Sequence, residues 1–438
     1  MISLDKIKKV HFIGIGGIGM SALARFMLHE GKKVSGSDAS ESDLVNDLKK
    51  EGVITHIGHQ SNHINKELDL VVYTIAVQHS NPELEKARDF GIPTVSYPEM
   101  LGIISKDKYT IAVSGTHGKT TTTAMLAQIL KDVGKSPTVI VGSLLDTSIA
   151  QSPGGNRTNF IYGESDIFLV EACEYKRSFL NLAPDILAIT NIDMDHLDYY
   201  ENLKDIQSAF KELAESVPET GAIVCAPDND NVAEILTGLK SKIVNYDEDK
   251  SRIDLDILGK YNEENAKIAM SVAGMLGVDE KRARDSLKNF KGTWRRAEKI
   301  CEFNGGMIYD DYAHHPTEIE ATIKGFRNKF PDKKLIIIFQ PHLYSRTKLL
   351  FSDFSRSLSY ADEVLVLPIY AAREVEDPSI SSKMLVDNIG KKNKEVSFVK
   401  DGNEVLDIIK NKDLNNSVVI TMGAGDVYKI AYEFCGKG

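Results

Sequence analysis

The sequence has few cysteines and no long hydrophobic run. Four cysteines among 438 residues, Cys173, Cys225, Cys301 and Cys435, lie far apart without a Cys-x-x-Cys pair. This spacing predicts free thiols in a reducing compartment rather than a disulfide framework or a zinc site. No uninterrupted apolar stretch approaches the roughly 20 residues of a membrane helix, and the N-terminus has no apolar region ending in a small-residue cleavage site. We therefore expect a cytoplasmic chain without membrane insertion.

The chain also lacks a long basic run, since 63 acidic residues outnumber 53 basic ones and the net charge is -10. This balance argues against nucleic acid or an anionic membrane surface as the main partner. Any anionic ligand must therefore be bound by local donors. With 42% hydrophobic and 26% charged residues, the composition is typical of a globular protein, long enough for about three domains of roughly 150 residues each.

Short apolar runs alternate with glycine-rich turns and helical periodicity along the chain. This order predicts an α/β fold with parallel strands. Pro93 and Pro98 mark the end of a first block, and the segment around Gly292 leads into a last one. We expect three domains, at residues 1–105, 106–293 and 294–438. The sequence gives no indication of an oligomeric state.

The strongest motif is the heptapeptide Gly-Thr-His-Gly-Lys-Thr-Thr at residues 115–121. It lies between a predicted strand and a predicted helix, where backbone N–H groups and the helix dipole form a cradle for an anion. Lys119 can reach the outer phosphates of a nucleotide, and the Thr120 hydroxyl suits a magnesium ion. Val113 stands where the common form of the motif has its first glycine, so the loop is short. A chance glycine-rich turn is the alternative.

Acidic residues follow the next predicted strands. Glu171 ends one strand and is the best candidate for a magnesium ligand, with Glu174 three residues further on. His196 comes shortly after the next strand, although by itself it would be read as a surface or helix-capping histidine. Because the carboxyl ends of parallel strands meet at one edge of a sheet, these groups could converge on the phosphates.

Nearer the N-terminus, the segment Gly-Ile-Gly-Gly-Ile-Gly at residues 14–19 also follows a strand and precedes a helix. We call this segment the first glycine turn. Asp38 ends the second predicted strand about 20 residues later, the arrangement of a dinucleotide site. The pattern alone suggests NAD. A diphosphate at the helix N-terminus would serve a UDP-sugar equally well, and the separate ATP loop favours such a substrate. Helix packing without any ligand is the remaining alternative.

Across essentially its whole length the sequence resembles the Mur ligase family, MurC type. The motifs that carry the resemblance are residues 14–24, 34–38, 115–123, 171–175, 190–193, Asn262 with Asn265, Arg295 with Arg296, 310–318, 339–342 and 423–426. The resemblance implies an N-terminal Rossmann-like domain, a central ATPase domain of the phosphate-loop type and a C-terminal Rossmann-like domain. It also implies ATP and Mg²⁺ as cofactors, with UDP-N-acetylmuramate and L-alanine as substrates.

The implied reaction belongs to peptidoglycan precursor synthesis. ATP phosphorylates the lactyl carboxylate of the UDP-sugar, the amine of L-alanine attacks the acyl phosphate, and phosphate leaves. Such a transfer depends on positioning and charge neutralisation. One alternative is a related Mur ligase that adds another amino acid or a recycled peptide. More distant alternatives are an NAD-dependent oxidoreductase and a nucleotide-binding regulator without chemistry.

The resemblance assigns roles residue by residue. The ATP-binding residues are Gly115, Thr116, His117, Gly118, Lys119, Thr120, Thr121, Asn262, Asn265, Arg295 and Arg296, with the two asparagines near the adenine and either arginine on the phosphates. The metal ligands are Thr120, Glu171 and His196. The UDP-sugar site comprises Gly14, Gly16, Gly17, Gly19, Ser37, Asp38, Thr74 and Ala76. The amino-acid site comprises Asp311, Tyr312, His314 and Arg346. The catalytic residues are Lys119, Glu171, His196, Arg296 and His314, the last as acceptor of the amine's proton.

Three departures from the family pattern affect these assignments. Tyr261 stands where the family usually has a histidine beside Asn262, so the family's adenine contact at this position is not carried over. Leu343 stands where many members have an arginine, which leaves Arg346 for the carboxylate of the amino acid. The segment 244–260 is shorter than in typical members, so the central domain is expected to lack strands there.

Overall fold

The computed structural model describes residues 2–150, 157–196, 199–248, 251–257, 259–372, 374–391 and 395–436. The chain divides into two compact units. The first unit comprises Met1–Asp254 and Glu264–Lys291, and the second comprises Leu255–Glu263 and Gly292–Gly438. The described residues form three sheets, two in the first unit and one in the second.

The first sheet has the strand order β3-β2-β1-β4-β5, and all its strands are parallel. Its strands are β1 (Lys9–Ile13), β2 (Lys33–Asp38), β3 (Ile54–Ile57), β4 (Leu70–Tyr73) and β5 (Thr94–Ser96), and its helices are α1 (Ile18–His29), α2 (Asp43–Lys50), α3 (Pro82–Asp89) and α4 (Tyr97–Lys106). This order reverses direction beside β1, the place where open α/β sheets bind ligands. The predicted Rossmann-like arrangement is confirmed.

The second sheet has the order β12-β11-β10-β6-β9-β7-β8, with only β8 antiparallel to its neighbour. Its strands are β6 (Tyr109–Ser114), β7 (Thr138–Leu145), β8 (Thr158–Ile161), β9 (Ile167–Glu171), β10 (Ile186–Ile189), β11 (Ala222–Cys225) and β12 (Lys242–Asn245). The helices are α5 (Lys119–Asp132), α6 (Leu203–Glu215), α7 (Asp230–Leu236), α8 (Lys260–Met275) and α9 (Glu280–Lys288). Every residue of β10 and β11 is buried, as expected of parallel strands covered on both faces.

The third sheet, in the second unit, has the order β13-β14-β18-β15-β16-β17 and is parallel except for β13. Its strands are β13 (Glu298–Phe303), β14 (Gly306–Asp311), β15 (Lys334–Phe339), β16 (Glu363–Val366), β17 (Glu395–Phe398) and β18 (Ser417–Met422). The helices are α10 (Pro316–Lys329), α11 (Tyr344–Leu349), α12 (Phe351–Leu358), α13 (Ser382–Gly390), α14 (Gly402–Lys410) and α15 (Tyr428–Phe434). The predicted α/β class with three sheets is therefore confirmed, while the boundaries at 105 and 293 stay a prediction.

The structure corrects the prediction that all four cysteines are free thiols. Cys301 in β13 and Cys435 after α15 form a disulfide with a Cα–Cα distance of 5.9 Å, although 134 positions separate them. The expectation was wrong for this pair because α15 packs against the edge strand β13, which no sequence spacing reveals. Cys173 and Cys225 are free. None of the described helices is long and apolar enough to cross a bilayer.

Candidate active site

The phosphate loop connects β6 to α5 in the first unit and depends on two glycines. Gly115 has φ +133° and Gly118 has φ +86°, which strain any residue with a side chain. A Cβ at Gly118 would also overlap the Asn265 side chain, and a Cβ at Gly115 would lie 2.9 Å from the Asn191 carbonyl oxygen. These positions therefore require glycine for both conformation and space.

The segment after β10 supports this loop. The Thr190 hydroxyl donates to the His117 carbonyl at 2.6 Å, and the Asn191 carboxamide oxygen accepts from the His117 N–H at 2.9 Å. The Thr116 N–H donates to the Asn191 carbonyl at 3.0 Å. Residues 190–191 thus hold the loop in place, and the N–H of His117, a residue predicted to bind ATP, donates to Asn191.

Lys119 forms a buried ion pair with Glu174. Its ammonium lies 2.9 Å from Glu174 Oε2 and 3.0 Å from Oε1, and it also donates to the carbonyls of Gly115 and Thr116 at 2.5 and 3.0 Å. Burial opposes the charge, but Glu174 raises the pKa of Lys119 above its ordinary value. Burial likewise opposes ionisation of Glu174, whose pKa Lys119 and then His196 hold below the usual range.

The predicted metal ligands divide into two groups. The Thr120 hydroxyl donates to Glu171 Oε1 at 3.0 Å, and the Gly142 N–H donates to Oε2 at 2.8 Å. His196 instead has its Nε2 3.3 Å from Glu174 Oε1. The sequence singled out Glu171 as the metal ligand and placed Glu174 only among the groups that could converge on the phosphates, yet Glu174 is the acid that contacts both Lys119 and His196.

Thr120 and Glu171 suit a nucleotide-bound Mg²⁺, because this ion keeps several waters and takes one or two carboxylates with oxygen donors. Within the described ranges, no group of three or more His, Cys, Asp or Glu side chains is arranged to hold a metal ion. The roles of Thr120, Glu171 and His196 as metal ligands stay predictions.

The first glycine turn holds Asp38 against its backbone. The Gly16 N–H donates to Asp38 Oδ2 at 2.8 Å, and a Cβ at Gly16 would meet the same carboxylate at 2.9 Å. Gly14, with φ +80°, lies against Thr74, whose hydroxyl accepts from the Ala76 N–H at 3.4 Å. Five residues predicted for the UDP-sugar therefore lie together beside β1, at one edge of the first sheet: Gly14, Gly16, Asp38, Thr74 and Ala76.

Ser37 faces the interior rather than a ligand. Its buried hydroxyl donates to Glu83 Oε2 at 2.5 Å, and His63 donates to Glu83 Oε1 at 2.6 Å. His11 Nε2 lies 3.6 Å from the same carboxylate. Burial by itself would raise the pKa of Glu83, but His11, Ser37 and His63 lower it to about 2. The sequence analysis missed this cluster, because a glutamate at a helix start reads as a capping residue.

The structure distinguishes the two adjacent arginines of the second unit. Arg295 is 3% exposed. It donates to Asp310 at 2.8 Å and to the carbonyls of Gly423 and Gly425 at 2.5 and 2.9 Å. Arg296 is 31% exposed and 3.9 Å from Glu318. Arg295 therefore braces the sheet, and Arg296 is the better candidate for a phosphate contact.

The predicted amino-acid residues lie near one another in the second unit. His314 Nδ1 is 3.0 Å from the Tyr312 carbonyl, and its ring is 6.0 Å from that of His342. Arg346 reaches Nδ1 of His342 at 3.4 Å. Although His342 lies in a motif that carried the resemblance, the sequence analysis assigned it no role.

Asp311 and Leu343 are both buried. Asp311 accepts from the backbone N–H groups of Ala297 and Ala313 at 2.7 and 2.9 Å, and burial raises its pKa to about 6. It therefore stabilises local backbone. Leu343 is 4% exposed and has φ +69°, so its side chain lies in the interior and contributes no polar group to the amino-acid site.

The residues predicted for adenine are buried. Asn262, in the second unit, is 5% exposed, and Asn265, in the first, is 4% exposed and lies beside Gly118. Burial, followed by the charge of Asp311, raises the pKa of Tyr261. After β12 ends at Asn245, no strand occurs in the described parts of 246–260, while positions 249, 250 and 258 lie outside the described residues.

The parallel sheets, the strand-loop-helix cradle and its lysine define a phosphate-loop protein of the α/β class. Family profiles match residues 9–109 (Mur ligase family, catalytic domain), 113–252 (Mur ligase middle domain) and 295–425 (Mur ligase, glutamate ligase domain). The chain belongs to the Mur ligase family.

Relatives are similar over nearly the full length. A UDP-N-acetylmuramate–L-alanine ligase of Caldanaerobacter subterraneus subsp. tengcongensis is 41% identical, over 99% of this chain and 98% of the relative. The enzyme of the same name from Clostridium acetobutylicum is 40% identical, over 99% and 98%. The crystal structure of the UDP-N-acetylmuramate–alanine ligase of Thermotoga maritima aligns with a TM-score of 0.81 at 28% identity, over 98% of each chain.

Proposed function

We propose that the chain catalyses the ATP-dependent joining of L-alanine to the lactyl carboxylate of UDP-N-acetylmuramate, a step in peptidoglycan precursor synthesis. The phosphate loop carries the proposal, because Lys119 and the Thr120–Glu171 pair lie at one sheet edge in a chain 41% identical to a ligase named for this reaction. Because ATP is a cytoplasmic metabolite, the reaction is proposed to take place in the cytoplasm.

The first step is phosphoryl transfer. An oxygen of the lactyl carboxylate attacks the γ-phosphorus of ATP, the bond to the bridging oxygen breaks, and ADP leaves with an acyl phosphate formed. Lys119 and the loop N–H groups bind the phosphates, and Lys119 exchanges its Glu174 partner for phosphate oxygens as ATP binds. Thr120 and Glu171, with His196, would hold Mg²⁺, which neutralises phosphate charge when bound.

The second step forms the amide. The amine nitrogen of L-alanine attacks the acyl carbon, inorganic phosphate leaves, and the nitrogen loses a proton. The Tyr312 carbonyl can only accept a hydrogen bond, so Nδ1 of His314, which lies 3.0 Å away, is the protonated ring nitrogen. Its Nε2 is then the basic nitrogen for the amine's proton. Arg296 would neutralise phosphate, and Arg346 would bind the carboxylate of the amino acid.

An ADP-release assay with UDP-N-acetylmuramate and a panel of amines tests the proposal. L-Alanine should give turnover that depends on both the UDP-sugar and ATP, and mass spectrometry should find the amide product. Lys119→Ala is the inactive control. Turnover with glycine, L-serine or a peptide but not with L-alanine would refute the assigned amine. ADP release that needs no UDP-sugar would refute the reaction.

A further inference from the structure

A cavity of about 260 Å³ lies in the first unit, between the first glycine turn and the carboxylate beside the phosphate loop. Its lining includes Gly19, Tyr97, Gly142, Glu171, Cys173 and Ser178. Gly19 lies in helix α1, which follows strand β1 of the first sheet. Glu171 ends strand β9 of the second sheet and accepts a hydrogen bond from the Thr120 hydroxyl. The cavity therefore borders both the glycine turn predicted for the UDP-sugar and the acid at the ATP loop.

The position of Tyr97 in this cavity is fixed by the start of α4. Ser96 caps the helix in a capping box with Glu99, and Pro98 occupies the first turn. The ring lies directly on the backbone of Gly19, where a Cβ would be 2.6 Å from the tyrosine hydroxyl oxygen. The hydroxyl thus has a defined location, which a flexible side chain would lack.

The Tyr97 hydroxyl is a neutral donor facing the cavity. Burial, followed by the charges of Glu171 and Cys173, raises the pKa of its phenol, so the group keeps its proton near neutral pH. The described part of the chain supplies this hydroxyl with no hydrogen-bond partner. A partly buried hydroxyl gains most when a ligand oxygen accepts its proton.

We propose that Tyr97 is a specificity-determining residue that donates a hydrogen bond to the lactyl carboxylate of UDP-N-acetylmuramate and holds this arm beside Thr120 and Glu171. The inference rests on the proposed function. The lining of the cavity supports this role. A substrate whose nucleotide binds at residues 14–19 and whose lactyl carboxylate reaches Glu171 must place its lactyl arm in this cavity. A carboxylate next to Glu171 also needs a neutral donor to offset the repulsion.

Tyr97→Phe removes only the hydroxyl and is the test variant. We expect Kd for UDP-N-acetylmuramate, measured by calorimetry, to rise about 10- to 100-fold, the worth of a hydrogen bond to a charged group. UDP-N-acetylglucosamine lacks the lactyl arm, so its Kd should change by less than about twofold. The KM for ATP should stay unchanged. Tyr109→Phe, at an exposed tyrosine outside the cavity lining, is the matched control.

Thiol labelling gives a readout independent of turnover. Cys173 lines the cavity and is exposed, whereas Cys225 is buried, so iodoacetamide should modify Cys173 faster than Cys225. Burial raises the pKa of both thiols, so the reaction is run at mildly alkaline pH and followed by peptide mass spectrometry. UDP-N-acetylmuramate should slow this modification in the wild type, and the Tyr97→Phe variant should need a higher concentration for the same protection. Cys225 serves as the internal reference.

The outcomes separate the two proposals. If Tyr97→Phe raises the Kd of both UDP-sugars equally, or of neither, Tyr97 does not select the lactyl arm. The inference is then overturned while the proposed function stands. If the wild type neither turns over UDP-N-acetylmuramate nor protects Cys173 with it, the proposed function fails and the inference falls with it. That failure is visible before any variant is made.

Discussion

Replacing Lys119 should affect stability and catalysis separately, and a second substitution can distinguish them. Lys119 and Glu174 form an ion pair at 2.9 Å in which the side chains are 13% and 3% exposed. Removing one partner of a buried pair leaves the other charge without compensation, which costs about 3–5 kcal/mol. We therefore expect Lys119→Met to lower the free energy of unfolding by about that amount, because Glu174 loses its ammonium partner and stays buried beside His196.

The double variant Lys119→Met with Glu174→Gln should recover most of this stability. Both charges are then gone, and a neutral pair of similar volume is often as stable as the ion pair it replaces. The coupling free energy, taken from the wild type, Lys119→Met, Glu174→Gln and the double variant, should be at least about 3 kcal/mol, because it includes the stability that the double variant recovers. Activity should not recover, since loss of a charge-stabilising donor at the transferred group costs at least about 100-fold in kcat.

Urea unfolding followed by circular dichroism measures the stability of the wild type, the two single variants and the double variant. ADP release measures their activity. Thr120→Ala is the comparison variant, because it alters the same loop without leaving a charge buried. If Lys119→Met unfolds at the wild-type urea concentration, the pair carries no net stability and the electrostatic argument is wrong. An active double variant would show that Lys119 has no role in the chemistry.

Three further predictions concern a glycine, a buried acid and the disulfide. Gly118→Ala should lose ATP binding in calorimetry and about 1–2 kcal/mol of stability, because the positive φ and Asn265 both oppose a Cβ; Gly134→Ala, also at positive φ but in open space, is its control. Glu83 has its pKa lowered from 4.5 to about 2, so its ionised form contributes up to roughly 3 kcal/mol above pH 4.5, and that contribution disappears as the pH falls toward 2. The stability difference between wild type and Glu83→Gln should therefore shrink between pH 6 and pH 3, and a constant difference would contradict the assignment. Cys301→Ser should cost about 2–4 kcal/mol under oxidising conditions and nothing in dithiothreitol, and a peptide map without the Cys301–Cys435 cross-link would contradict the pairing.

Continuous apolar runs in the sequence mark several of the buried strands. β1, β6, β10 and β18 are almost wholly buried, and local composition alone specifies such segments. The edge strands β3 and β17 lack this signal, and every one of their residues is only partly buried or exposed. An edge strand needs few apolar residues, because solvent covers one of its sides and its partner supplies the hydrogen bonds.

The sequence by itself determined the phosphate loop, the first glycine turn and the acids that follow the strands, because each depends on backbone geometry within a few residues. Only the tertiary structure decided the partners of those residues. It placed Glu174 on Lys119, buried Arg295 while leaving Arg296 partly exposed, and joined Cys301 to Cys435. It also brought Tyr97 and Glu171 to one cavity. These pairings join segments distant in the chain, and close packing of the folded core, which no local pattern encodes, sets the distances between them.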